Sequence, residues 1–167
     1  LEFIVPARGL IGFRSQFLTL TSGSGIMTHV FDHYGPVKRA ELGGRVNGVL
    51  VSMVKGKTLA YALYTLQERG RLFVDPNKDV YEGQIVGLHS RGNDLAVNPT
   101  KAKQLTNVRA SGTDEALILS PPVRHSLEQA LEFIEDDELV EVTPDSIRLR
   151  KKLLLEHERK RAARSAA

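Results

Sequence analysis

The chain has 167 residues, 41% of them apolar, and its 23 Lys and Arg against 20 Asp and Glu give a net charge of +3. That apolar fraction supplies a core and excludes a disordered protein. The absence of Cys excludes disulfide frameworks, thiolate zinc sites and Cys nucleophiles together, and no apolar run approaches the ~18–20 residues of a membrane span.

A length of this order holds one domain, or one small domain and part of another. The N-terminal "LEFIVPARG" has no initiator Met and no basic region ahead of its apolar run, so it reads as a fragment beginning inside a strand rather than as a signal peptide. "LEFIVP" has strand composition and Pro6 ends it. In "ARGLIGFRSQFLTLT", Leu10, Phe13, Phe17 and Leu20 recur at near-helical spacing, although Gly9 and Gly12 weaken that helix. "SGSG" is a turn, and "GIMTHVFDHY" alternates as a strand. Strand, helix and strand in this order make one β-α-β unit. "GPVKRAELGGR" reads as a linker, with the boundary near Gly35–Pro36. The organisation predicted is residues 1–35 as one unit and 36–167 as another.

In the second unit "NGVLVSMV" is a strand, and "TLAYALYTLQERG" an amphipathic helix with Leu59, Leu63 and Leu66 on one stripe and Gly70 as its stop. "RLFVD" and "GQIVGLH" are strands around a "PNKD" turn, and "EALILSPP" is a strand ended by its prolines. "HSLEQALEFI" is a short helix with Ser126 as N-cap and Gln129 completing a capping box. "ELVEVT" and "SIRLRK" alternate with period two around "PD" and form a hairpin. "LLLEHERKRAARSAA" is helix-forming and grades into a basic tail over 148–167. Strands and helices mix without regular alternation, so the class is α+β.

Charge is segregated. Glu128 to Asp145 carries eight acids and no Lys or Arg, and Arg148 to Arg164 carries eight bases against Glu156 and Glu158. Such blocks are ordinarily solvated faces; a basic end also suits a polyanion. Gly56-Lys57-Thr58 imitates the end of a phosphate-binding loop, but the Gly that such a loop needs five residues earlier is Val51, inside an apolar strand. A tight turn with a helix start is the simpler reading. His29 and His33 straddle a strand end, where four residues span about 13 Å, too far for a shared metal. The acids of "EDDEL" lie consecutively and read as a solvated turn, and no Ser stands in a nucleophile setting. Catalytic, cofactor and metal residues are therefore assigned to none of this chain.

Binding remains. Residues 89–116, "HSRGNDLAVNPTKAKQLTNVRASGTDEA", form a polar stretch without apolar period, too long for an idle loop in a compact domain. Arg91, Lys101, Lys103 and Arg109 supply cationic tips, and Asn93, Asn98, Thr100, Gln104, Thr106 and Asn107 supply amides and hydroxyls. These groups contact phosphate, ribose and base edges in RNA. The stretch has no aromatic residue, which argues against base stacking. A disordered surface loop is the competing reading.

"LEFIVPARGLIGFRSQFLTLTSGSGIMTHVFDHYGP" resembles the second half of the fifth domain of the BipA/TypA family of translational GTPases, relatives of elongation factor G. "NGVLVS", "GKTLAYALYTLQERGRLFV", "VYEGQIVGLHSRGNDLAVN", "KQLTNVRASGTDEA" and "SLEQALEFIEDDELVEVTPDSIRLRKK" are similar to that family's C-terminal domain. The resemblance implies a monomeric cytoplasmic protein that binds the ribosome, acts in large-subunit assembly and in adaptation to cold and other stress, and uses GTP with Mg2+ in a domain upstream of Leu1. It implies that a loop, here about Asn98 to Glu115, approaches large-subunit rRNA and the acceptor arm of A-site tRNA. Arg91, Asn93, Asn98, Lys101, Lys103, Gln104, Thr106, Asn107 and Arg109 are then RNA contacts, joined by Lys151 and Lys152 of the basic end. Where some relatives have consecutive Lys, this chain reads Lys103-Gln104, one phosphate contact fewer. The family's fifth domain is ferredoxin-like, and this chain would hold only its last β-α-β. Strands 1–6 and 26–32 should then not pair with each other and should leave an open edge and exposed apolar surface.

Overall fold

The computed structural model describes residues 1–37, 45–102 and 117–166. The chain divides into two compact units, Leu1–Arg45 and Val46–Ala167; the division lies beyond the Gly35–Pro36 linker. Among the described residues no helix is long and apolar enough to cross a membrane.

In the first unit a 3-10 turn, Ala7–Leu10, precedes helix α1, Phe13–Leu20. The two are separated at Gly12, whose φ of 77° lies in the left-handed region that a side chain disfavours. The helix closes with Gly23 N–H donating to Leu18 O at 2.7 Å, and the Thr21 hydroxyl caps Phe17 O at 2.8 Å. Residues 1–6 and 26–32, read as the two strands of a β-α-β unit, form no strand, and so they do not pair with each other. Phe3, Ile4, Ile26, Val30 and Phe31 are exposed. Strand composition alone does not make a strand here, because a ladder needs a partner for its N–H and C=O groups.

The second unit is α+β. Its elements are β1 (Val49–Ser52), β2 (Gly56–Lys57), α2 (Ala60–Leu66), β3 (Gly70–Leu72), β4 (Asp79–Val80), β5 (Gln84–His89), β6 (Leu95–Val97), α3 (Leu127–Phe133), β7 (Glu138–Val142), β8 (Ile147–Lys151) and α4 (Glu156–Ala166). The main sheet runs β6-β1-β5-β8-β7, with β3 also on β5; β2 and β4 form a separate pair. β1 is antiparallel to β5 and parallel to β6. β5 is shared by three partners, and Gly87 permits this: a Cβ there would meet Arg71 O at 2.6 Å.

Both faces of the sheet are covered. Alternation along β1 and β5 sends Leu50 and Val86 to one face, where α2 brings Leu63, and Leu72, Val80 and Val97 complete the cluster. Val49, Val51 and Ile85 point to the other face, where α3 brings Ala130 and β8 brings Leu149. Burial on both sides explains why β1 is an unbroken apolar run.

The hairpin formed as its period-two pattern predicts, with Glu138 opposite Lys151 and Val142 opposite Ile147. The capping box of α3 is present: the Ser126 hydroxyl accepts from Gln129 N–H, and Gln129 Oε1 accepts from Ser126 N–H at 3.0 Å. Two expectations fail in this unit. The described part of "EALILSPP" is not a strand; Pro121 and Pro122 lack N–H groups, and it is the next residue, Val123, whose N–H donates to Leu72 O of β3 at 2.8 Å. The stretch 89–116 is not a loop throughout, since Leu95–Val97 within it is β6.

Candidate nucleic-acid interface

The polar stretch begins on a rigid shoulder. His89, at the end of β5, is buried and its Nδ1–H donates to Asn93 O at 2.5 Å. Gly48 N–H donates to Arg91 O at 2.8 Å, and Asp94 Oδ1 accepts from Val49 N–H at 2.9 Å. The turn 89–94 is thus tied to the start of β1, and the exposed side chains of Arg91 and Asn93 stand on it. β6 follows, and Met53 N–H donates to Val97 O at 2.9 Å.

The chain leaves β6 through a second fixed turn. Asn98 Oδ1 accepts from Thr100 N–H at 2.9 Å and from the Thr100 hydroxyl at 2.8 Å, an Asx turn. Between them Pro99 is buried, and its carbonyl accepts from Leu59 N–H at 3.0 Å, at the N-terminal end of α2. Lys101 follows, exposed. The returning chain is held at the other end of the same helix: the Gln67 side chain donates to Ile118 O and accepts from Ser120 N–H, both at 3.0 Å. Leu59 and Gln67 are eight residues apart, roughly 12 Å along the helix. The cationic segment therefore departs from and returns to the two ends of one short helix. Lys103, Gln104, Thr106, Asn107 and Arg109 lie outside the described residues. No local pattern announced Gln67; its partners are more than fifty residues away in sequence.

Lys151, expected among the RNA contacts, is engaged inside the protein. Its side chain is 2% exposed, and Nζ lies 2.6 Å from Asp94 Oδ2, 2.8 Å from Asp137 Oδ2 and 2.9 Å from Glu138 Oε1. Burial pushes the ammonium pKa down, but the hydrogen bonds to Asp137, Asp94 and Glu138 outweigh this and hold it above its ordinary value. The "EDDEL" acids are accordingly more than a solvated turn. Glu135, Asp137 and Glu138 converge closely enough to suggest a cation site, and the Lys151 ammonium bonds two of them. Lys152 is exposed, with its N–H donating to Asp137 O at 2.8 Å. On α4, Lys160 pairs with Glu156 at 2.6 Å and Arg159 Nη1 caps Leu153 O at 2.9 Å, while Arg161 and Arg164 face solvent.

The Gly56-Lys57-Thr58 turn does not fit a nucleotide phosphate with Mg2+. Gly56 and Lys57 form β2, and Thr58 is fully buried. Its hydroxyl donates to Asp75 O at 2.7 Å and accepts from Lys78 N–H at 3.0 Å, which pins the 75–78 turn and leaves no hydroxyl for a metal. The interface offers cationic and amide groups for binding an anion, on elements fixed by the sheet.

Residues 47–156 match the model of the TypA/BipA C-terminal domain, and residues 1–43 match that of the elongation factor G C-terminus. The large ribosomal subunit assembly factor BipA of Haemophilus influenzae is 62% identical over 165 residues, covering 99% of this chain. The proteins of the same description from Escherichia coli K12 and Buchnera aphidicola are 59% and 55% identical, over 99% and 98% of the chain. In each case the chain spans 27% of the relative's length. With one family model matching most of the chain and identity sustained from end to end, the chain belongs to the BipA/TypA family.

Proposed function

We propose that this chain is the ribosome-binding region of a BipA-type translational GTPase, contacting large-subunit rRNA and the acceptor arm of A-site tRNA through the segment about 98–115. The observation that carries the reading is the anchoring of a cationic segment at both ends of α2, by Pro99 on Leu59 and by Gln67 on Ile118 and Ser120. Relatives described as large ribosomal subunit assembly factors support the partner. The parent acts as a cytoplasmic monomer in subunit assembly and stress adaptation. Its GTP and Mg2+ are held by a domain other than the two matched here, in keeping with a buried Thr58.

Asn98, Pro99 and Thr100 belong to the root, so a clean test spares them. Co-sedimentation with large ribosomal subunits is compared for the parent and for a Lys101→Ala, Lys103→Ala, Arg109→Ala triple variant over a range of salt. Neutralising ~4 phosphates gives a slope of log affinity on log salt of roughly −3, and the variant should flatten it by ~2. Unchanged affinity and slope would remove the segment from the interface and leave this region an organiser of the parent's other domains.

A further inference from the structure

The outer side of α2 carries two aromatic side chains that neither core uses. Ala62 and Leu63 are buried and Leu66 packs on the same cluster. At roughly 100° per residue, Tyr61, Tyr64, Thr65 and Glu68 share the opposite side. Tyr61 is 37% and Tyr64 39% exposed. They stand three residues apart, about 4.5 Å along the axis, a spacing that serves neighbouring bases of one strand.

The N-terminal end of this helix is ringed by exposed lysines from three segments. Lys55 and Lys57 lead into it. Lys78 is held beside it by Thr58 N–H donating to Lys78 O at 2.9 Å, and Lys101 follows the Pro99 carbonyl that binds Leu59 N–H. β2 and the Asn98–Thr100 turn meet closely there, since a Cβ on Gly56 would lie 3.1 Å from Thr100 Cγ2. Among the described residues none of the four lysines is in an ion pair. Asp79 stands opposite Lys57 in the β2–β4 register, and Glu68 places an acid at the far end of the tyrosine side. The field is therefore polarised, positive at the N-terminal end of α2.

We propose that Tyr61 and Tyr64 form a stacking platform for unpaired bases of an RNA strand whose phosphates lie over Lys55, Lys57, Lys78 and Lys101. The proposal deepens the RNA-binding reading and rests on it. The cationic segment itself has no aromatic residue, and the helix that anchors it supplies the rings. A protein partner fits less well, because Lys is depleted at protein–protein interfaces whereas tyrosine beside lysine is the pattern of a single-strand groove.

The test is a fluorescence-anisotropy titration of the 167-residue chain with a labelled, unstructured RNA of roughly 10 nucleotides, alongside co-sedimentation with large subunits. The variants are Tyr61→Ala with Tyr64→Ala, the corresponding Phe pair, and a Leu pair that keeps apolar volume should the Ala pair fail to fold. The Ala and Leu pairs should weaken binding to the RNA ~5-fold or more, the Phe pair should retain it, and the salt slope should not change because no charge is lost. Binding by the Ala or Leu pair equal to that of the parent overturns the platform. So does an equal loss in the Phe pair, which would assign the effect to the hydroxyls. A loss on subunits but not on the RNA assigns the face to a protein and also overturns it. If a Lys103→Ala, Arg109→Ala variant, which spares Lys101, binds normally while the Ala pair does not, the platform stands and the cationic segment falls. If that variant loses binding while the Ala pair keeps it, the segment stands and the platform falls.

Discussion

A buried ammonium facing three carboxylates can be taken apart only from one side. Asp94 and Asp137 are 42% and 61% exposed, so either regains water if Lys151 is lost, but Glu138 is 0% exposed and cannot. Lys151→Met should therefore cost about 3–5 kcal/mol, read as a lower urea midpoint, and adding Glu138→Leu should recover part of it by replacing the pair with apolar volume. Because the folded-state pKa of Lys151 is raised, this stability is fully present below the unfolded value of about 10.4 and fades only as pH rises beyond it. His125 behaves oppositely. It stacks edge-on against Phe73 at 4.6 Å, and burial lowers its pKa. A depressed folded pKa leaves stability intact above the unfolded value of about 6.5 and erodes it as pH falls, because the unfolded chain takes up the proton first. His125→Phe removes that proton uptake. Between about pH 7.5 and 5.5 the parent's Tm should fall further than the variant's.

At the scale of elements, legibility tracked side-chain pattern. The β7–β8 hairpin and the amphipathic α2 could be read because alternation and helical spacing report which face is buried. β2, β4 and β6 could not, since strands of two or three residues carry no period and exist because a neighbour's backbone completes them. α3 shows how local chemistry and packing combine. Seven residues are too few for a helix to persist alone, so it depends on Ala130 in the core and on its cap. Ser126→Ala should cost about 1 kcal/mol, visible as a small drop in urea midpoint without change in slope.

At the scale of the molecule, the sequence exposed the anomaly and misjudged its edges. The cationic stretch stood out by composition, yet its first part is a held turn and β6, and Lys151 counted as a free base only because Asp94 lies far from it along the chain. Long-range partners of this kind leave no trace in spacing. Segments 1–6 and 26–32 were misread for a related reason, since strand composition does not by itself supply the neighbour a ladder needs. The two anchors on α2 have a mechanical consequence. The two roots of the segment, at Pro99 and at Ile118–Ser120, are fastened to opposite ends of one helix, so α2 sets the distance between them. A pull on the residues between those roots is divided between Pro99 and Gln67 and passes through α2 into the β1–β5 sheet, where the two buried clusters resist it together.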